Sequence, residues 1–127
     1  MRKAMHRSLM QVNVRGSDKA AALYQKAFGA EMVASYPHDD GTYMHAELDV
    51  YGQILSLSEL PEGEAPDPGS TMMFCLHFGK GREALVQQAY DALRDGAELR
   101  APLGPNDYSP FHFCLIDRFG VNWCVFV

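Results

Sequence analysis

The chain carries the same pattern of secondary structure twice, and this duplication constrains its fold more than any single motif does. Residues 9–31 predict a strand, then a helix that stops at Gly29, and residues 72–98 predict the same order with a stop at Gly96. Short alternating strands follow each copy, so the predicted order is βαβββ twice. Each copy is about half of a 127-residue chain. Because so short a segment buries too little surface to be stable by itself, we expect the two copies to pack together.

The expected fold class is therefore α+β, with two tandem βαβββ modules in a single domain over residues 1–127. Module one covers about 8–60 and module two about 72–127. A linker at 61–70 joins them, because this stretch holds three prolines and two glycines.

Local signals place the ends of the elements. Ser17 or Asp18 is expected to cap the first helix, since either side chain can accept a bond from a free backbone N–H. That helix should end near Phe28, before Gly29. A Pro/Gly/Asn-rich stretch at 102–107 predicts a loop between two strands of module two.

Composition excludes several classes of protein. The net charge is −5 and the 11 basic residues are scattered, which argues against nucleic acid and favours a neutral or cationic ligand. Three cysteines without a CxxC pair do not predict a secreted disulfide framework. Met1-Arg2-Lys3 is not followed by an apolar run, and no window approaches about 18 apolar residues. We therefore expect a cytoplasmic protein with no signal peptide and no membrane span.

Three segments carry a family resemblance that extends over about residues 8–127. They are Tyr24-Gln25-Lys26-Ala27-Phe28-Gly29-Ala30-Glu31, Tyr43-Met44-His45-Ala46-Glu47-Leu48 and Asp117-Arg118-Phe119-Gly120-Val121-Asn122-Trp123. With the repeated modules, they resemble the vicinal oxygen chelate superfamily (glyoxalase, bleomycin resistance, dioxygenase), and more closely its PhnB-like, or 3-demethylubiquinone methyltransferase-like, branch. The resemblance implies curled mixed sheets around a cavity, and a homodimer.

Strand parity predicts which side chains line that cavity. The apolar sets should face the helices and include Met10, Val12, Val14, Met44, Ala46 and Leu48. The opposite sets should face the cavity and supply the candidate residues Gln11, His45, Glu47, Ser56, Ser58, Cys75, His77, His112, Cys114 and Cys124. A shift of one residue would invert this assignment for the strand concerned.

The resemblance also implies where a metal would bind. Metal-dependent members use His or Gln on the first strand of each module and usually Glu on the last. The matching positions are Leu9 or Gln11 with Ser56 in module one, and Met73 with Cys124 in module two. Because these residues do not form a Mg, Mn or Ni site, we expect no such metal centre and no other cofactor.

Two sets of candidate residues remain open to more than one interpretation. Nitrogen and sulfur donors for a zinc-like ion could come from Cys75, His77, His112, Cys114 and Cys124. The alternative is that the cysteines are small core residues and the histidines are hydrogen-bonded. His45 and Glu47 lie two positions apart in the sequence and so on the same face of a strand. They either form a proton-transfer pair or belong to a partly solvated strand face.

Three functions follow. The first is a metal-free protein that binds a small organic ligand, and the negative net charge of the chain would favour a cationic one. The second is a lyase, isomerase or transferase that uses a displaced metal site or acid–base residues such as His45, Glu47 and His77. The third is a structural protein whose sheet edges pair with a protein partner.

Overall fold

A computed structural model describes residues 5–67 and 72–127 of the chain. The expectations on residues 1–3 and on residues 68–70 of the linker lie outside the described residues.

Module one contains one helix and one mixed sheet. Its elements are β1 (Met10–Val14), α1 (Ser17–Phe28), β2 (Glu31–Pro37), β3 (Tyr43–Val50) and β4 (Gln53–Glu59). The strands lie in the order β1-β4-β3-β2. Strand β1 pairs with β4 in parallel, whereas the other neighbours pair antiparallel.

Module two repeats this arrangement. Its elements are β5 (Phe74–His77), α2 (Glu83–Leu93), β6 (Glu98–Gly104), β7 (His112–Ile116) and β8 (Asn122–Phe126). The strand order β5-β8-β7-β6 corresponds strand by strand to that of module one. The predicted α+β class and the two βαβββ modules are thus confirmed, although the two sheets remain separate and do not close on each other among the described residues.

One expected loop in module two is partly strand. Strand β6 runs to Gly104, so the first residues of the predicted 102–107 loop belong to it. The pairing of β6 with β7 shifts register twice before Gly104 meets His112. The irregular register explains why a Pro- and Gly-containing stretch continues the strand, because bulges admit such residues. Neither described helix is long and apolar enough to cross a membrane.

Strand alternation places the core between each sheet and its helix. In module one, Val12, Val14, Leu55 and Leu57 are all buried in the cluster that includes the residues of α1. Met44 does not join them, because its side chain is 60% exposed. The expectation for Met44 was wrong because it lies beyond Ala46, which with Leu57 forms the last pair between β3 and β4.

Helix α1 begins in a way that the sequence did not indicate. Gly16, with φ 81°, is the N-cap, and no side-chain cap bond is made from within the helix. Instead the Glu59 carboxylate at the end of β4 accepts hydrogen bonds from the Gly16 N–H (3.0 Å), the Ser17 N–H (2.8 Å) and the Ser17 hydroxyl (2.8 Å). The predicted cap at Ser17 or Asp18 is therefore wrong, because an anion from another strand satisfies this helix end.

This contact gives a testable prediction for Glu59→Ala. Burial raises the pKa of the Glu59 carboxyl, but hydrogen bonds from Ser17 and Gly16 outweigh this effect and hold the pKa below its usual 4.5. We expect the variant to lose about 1–2 kcal/mol of unfolding free energy, as for other lost helix caps. The contribution is full above pH 4.5 and disappears as the pH falls through the lower folded-state pKa.

Urea unfolding at neutral and acidic pH measures this loss. Glu62→Ala is the matched control, because Glu62 is exposed and its side chain makes no hydrogen bond among the described residues. Equal unfolding midpoints for the two variants would contradict the capping role.

The modules pack against each other through α1, α2 and an aromatic cluster. The fully buried Trp123 ring of β8 lies 5.5 Å from the Tyr24 ring and 5.1 Å from the Phe28 ring, both of α1, and 5.4 Å from the Phe74 ring of β5. The Tyr24 hydroxyl donates to the Asp117 carboxyl in the turn before β8, at 2.7 Å. Residues from both modules therefore share one core.

Candidate functional site

The candidate residues of module one lie side by side on the sheet face opposite α1, which we call the helix-free face. Gln11 pairs with Ser56, and Ser56 pairs with Glu47, so the three residues form a row across β1, β4 and β3. The Ser56 hydroxyl donates to the Gln11 side-chain oxygen at 2.6 Å, and the Gln11 amide donates to the Ser58 hydroxyl at 3.0 Å. Hydrogen bonds thus connect Gln11, Ser56 and Ser58.

Glu47, the third member of the row, carries a negative charge and contacts a separate pair of side chains. The guanidinium of Arg7 donates to both carboxylate oxygens, at 2.8 and 2.9 Å, and His45 Nε2 lies 2.8 Å from the Glu47 Oε2 atom. Hydrogen bonds from Arg7 and then from His45 lower the pKa of the Glu47 carboxyl to about 2. Glu47 is only 7% exposed, so the helix-free face holds a shielded, ionised carboxylate.

Arg7 is a member of this site that the sequence did not reveal. It lies before β1, outside any period-two pattern, and only its contact with a residue 40 positions away identifies it. Its side chain remains 47% exposed. The guanidinium therefore contacts Glu47 from the solvent side.

The pKa of Glu47 provides a second prediction. In Arg7→Ala, the largest cause of the depression is removed, so the pKa of Glu47 should rise from about 2 towards its usual 4.5. A carboxyl-carbon NMR titration measures both values. Arg15→Ala, which removes the ion pair to Glu59 instead, should leave the Glu47 midpoint unchanged. A wild-type midpoint near 4.5 would contradict the ion cluster.

Module two carries sulfur where module one carries oxygen and nitrogen. Cys75 pairs with Cys124 and Cys124 with Cys114, so the three thiols form a row across β5, β8 and β7. All three are free cysteines. Burial raises the pKa of Cys75, and burial with the neighbouring Cys124 raises the pKa of Cys114 to about 12. These two thiols are protonated at neutral pH, which argues against either as an activated nucleophile.

Aromatic rings form the adjacent row of the same face. Phe126 pairs with both His77 and His112, and the His77 ring stacks on Phe126 at 4.5 Å with an interplanar angle of 11°. His112 is 5% exposed, and its Nδ1 lies 2.7 Å from the Gly104 carbonyl oxygen. Both imidazoles are therefore engaged in contacts within module two.

Tyr108 is a second residue that the sequence did not reveal. Its ring lies 5.4 Å from that of Phe126, and its hydroxyl lies 3.5 Å from the Cys124 sulfur. The Asn106 side chain holds the loop by accepting hydrogen bonds from the Tyr108 and Ser109 N–H groups. No periodic signal marks a residue in such a loop.

The candidate residues thus form two clusters, one in each module. Within residues 5–67 and 72–127, no hydrogen bond joins the polar set of module one to the thiol and imidazole set of module two. A cleft of about 330 Å³ lies where the modules meet, lined in part by Asn13 of β1, Phe74 of β5 and Asn122 of β8. This cleft is separate from the ten candidate residues.

The strand register decides which residues stand at the expected metal positions. Ser56 lies opposite Gln11, and Cys124 lies opposite Cys75, whereas Leu9 and Met73 fall outside the strands. An amide, a hydroxyl and two thiols do not suit a hard divalent ion, which prefers carboxylate and other oxygen ligands. Among the described residues, no group of three or more His, Cys, Asp or Glu side chains is placed to hold a metal ion.

Solved structures share this architecture. Protein PA1353 from Pseudomonas aeruginosa is similar with a TM-score of 0.78 at 23% identity, covering 96% of this chain and 97% of its own. The PhnB protein from Bacillus cereus is similar with a TM-score of 0.76 at 19% identity, covering 95% of this chain and 98% of its own. A mutant of the fosfomycin resistance protein FosX from Listeria monocytogenes, in complex with Mn(II) and 1S,2S-dihydroxypropylphosphonic acid, is similar with a TM-score of 0.67 at 14% identity, covering 98% of this chain and 90% of its own.

Sequence comparison agrees with the fold. No curated protein sequence matches the chain. The family model of the Glyoxalase/Bleomycin resistance protein/Dioxygenase superfamily matches residues 7–125, nearly the entire length. Together with the two βαβββ modules, this match confirms the resemblance: the chain belongs to the glyoxalase/bleomycin resistance protein/dioxygenase superfamily.

Proposed function

We propose that this single-domain protein binds a small organic cation on the helix-free face of module one, without a hard divalent metal centre. The observation that carries the proposal is the Glu47 carboxylate, ionised and 7% exposed, which binds a guanidinium through both oxygens. Bidentate pairing of this kind recognises planar cations by shape as well as charge.

Arg7 occupies the position that such a ligand would take. Because the Arg7 side chain is 47% exposed, its guanidinium can move into solvent and leave the Glu47 carboxylate to an incoming cation. The net charge of −5 also attracts cations towards the protein. Gln11 and Ser58 on the neighbouring strands provide further hydrogen-bonding groups on this face.

Calorimetric titration with alkylguanidinium and alkylammonium salts tests this proposal, with alkylureas as neutral analogues of matched shape. We expect saturable binding of the guanidinium series and no binding of the ureas. Glu47→Gln should abolish binding, whereas Glu62→Gln, a change at an exposed acid, should not affect it.

Arg7→Ala provides the complementary test. Removing the internal competitor should tighten guanidinium binding by about tenfold, because a larger fraction of the protein is then competent to bind. Equal affinity in wild type and Glu47→Gln would overturn the proposal.

The second candidate function is acid–base catalysis in the same superfamily fold. The observation that favours it is the 2.8 Å contact between His45 Nε2 and the Glu47 carboxylate, since a carboxylate that orients an imidazole is the usual support for a general base. With a pKa of about 2, Glu47 would orient His45 and would not itself take the proton. His45→Ala discriminates the two functions, because it should abolish turnover and leave cation binding largely intact.

We further propose that the protein is a cytoplasmic homodimer with no nucleic-acid partner. Large apolar side chains are exposed on strands at the sheet edges, including Val33 and Tyr36 of β2 and Leu99 of β6. Such side chains favour burial against a second copy. Light scattering at micromolar concentration distinguishes a dimer from a monomer.

A further inference from the structure

The three cysteines of module two occupy one row of the sheet face opposite α2, an arrangement that the proposed cation site does not use. Cys75, Cys124 and Cys114 are direct partners on three adjacent strands. Cys75 is exposed and lies on the edge strand β5, Cys114 is half-buried, and the central Cys124 is 2% exposed. The row is thus open to solvent at Cys75 and closed towards the middle of the sheet.

The three cysteines of this row are free thiols. Cys114 and Cys124 lie on antiparallel strands, where directly opposite residues have Cβ atoms about 4.5–5.5 Å apart, at or beyond the spacing of about 3.5–4.5 Å that a disulfide requires. Cys75 and Cys124 are direct partners on parallel strands, so their thiols lie side by side on one face, where a single atom can bind both. A bridging ion would supply that atom.

The same geometry selects the kind of ion. Zn(II) requires four ligands at the corners of a tetrahedron, but donors in one row on one sheet face cannot surround an ion in this way. The two histidines of the next row are already engaged, His77 on Phe126 and His112 on the Gly104 carbonyl. Cu(I) is a soft ion that prefers thiolates and accepts two of them in a linear arrangement.

We propose that Cys75 and Cys124 bind one Cu(I) ion between strands β5 and β8. Two Cu–S bonds form, each thiol releases its proton to solvent, and the copper remains Cu(I) throughout. Cys75 provides the entrance because it is exposed at the sheet edge. Cys124 is the buried ligand, and the Tyr108 hydroxyl lies 3.5 Å from its sulfur.

Anaerobic titration of the fully reduced protein with Cu(I), in competition with a chromogenic Cu(I) chelator, tests this site. The wild type should remove one Cu(I) per chain from the chelator and develop the ultraviolet absorption of a thiolate-to-copper charge transfer. Cys75→Ser should weaken the binding at least about tenfold, because one of two soft ligands is lost. Cys114→Ser is the matched control and should retain both the stoichiometry and the absorption.

Cys75 is the decisive position because an exposed serine there should not disturb folding, whereas Cys124→Ser changes a buried residue. Circular dichroism verifies the fold of each variant. Failure of the wild type to take Cu(I) from the chelator would overturn the proposal, as would equal binding by Cys75→Ser or tighter binding of Zn(II) than of Cu(I). Guanidinium binding should be unchanged in Cys75→Ser, so the two proposals fail separately.

Discussion

Replacement of Asp117 by alanine should destabilise the protein by about 3–5 kcal/mol, since it leaves several buried donors without partners. The Asp117 carboxyl, 3% exposed, accepts hydrogen bonds from the Tyr24 hydroxyl (2.7 Å), the Trp123 indole (2.9 Å) and the backbone N–H groups of Phe119 (2.8 Å) and Val121 (3.0 Å). These contacts tie α1 of module one to the last turn of module two.

Urea unfolding of a small set of variants separates these contributions. Tyr24→Phe removes a single donor and should cost about 1 kcal/mol. Asp117→Asn retains one acceptor oxygen, so its loss of unfolding free energy should lie between those of Tyr24→Phe and Asp117→Ala. Asp95→Ala, at an exposed acid, should lie within about 0.5 kcal/mol of wild type. A loss below 1 kcal/mol for Asp117→Ala would contradict the bridging role.

Trp123→Ala should have an effect of similar size for a different reason. The Trp123 ring is fully buried against Tyr24 and Phe28 of α1 and against Phe74 of β5. Truncation opens a cavity where the two modules meet, and large-to-small changes of buried aromatic residues cost about 3–5 kcal/mol.

Calorimetric and urea unfolding both measure this change. Met44→Ala removes a large apolar side chain that is 60% exposed and should lower the free energy of unfolding by less than about 1 kcal/mol. Because residues of both modules share the core, wild type should unfold in a single transition. Two separate transitions in wild type, with only one of them shifted in Trp123→Ala, would contradict a common core.

The sequence predicted what depends on local periodicity. The helix stop at Gly29, where φ is 60°, and the alternation along β1 and β4 follow from residues that are close in sequence. The prediction failed at the start of α1, because the anion that serves this helix end is Glu59, 42 residues away from Ser17. Met44 obeys the alternation but lies beyond the part of β3 that pairs with β4.

The candidate site was predictable only where it depends on the alternation of side chains along single strands. Parity assigned Cys75, Cys114 and Cys124 to one face, but only the register of three strands reveals that they form a row. Asp117 stands in one of the three segments that carry the family resemblance, but its hydrogen bond with Tyr24 joins positions 93 residues apart. Pairing across modules depends on tertiary packing, and a single sequence carries no periodic signal for it.

Titration of wild type and Glu47→Gln with an alkylguanidinium salt is the most direct test of the proposed cation site. Glu47 holds an ionised carboxylate on the helix-free face, and the amide of the variant keeps its size while removing its charge. Saturable binding to wild type that is lost in Glu47→Gln and strengthened in Arg7→Ala is the predicted result. Binding of the same strength in all three proteins would contradict it.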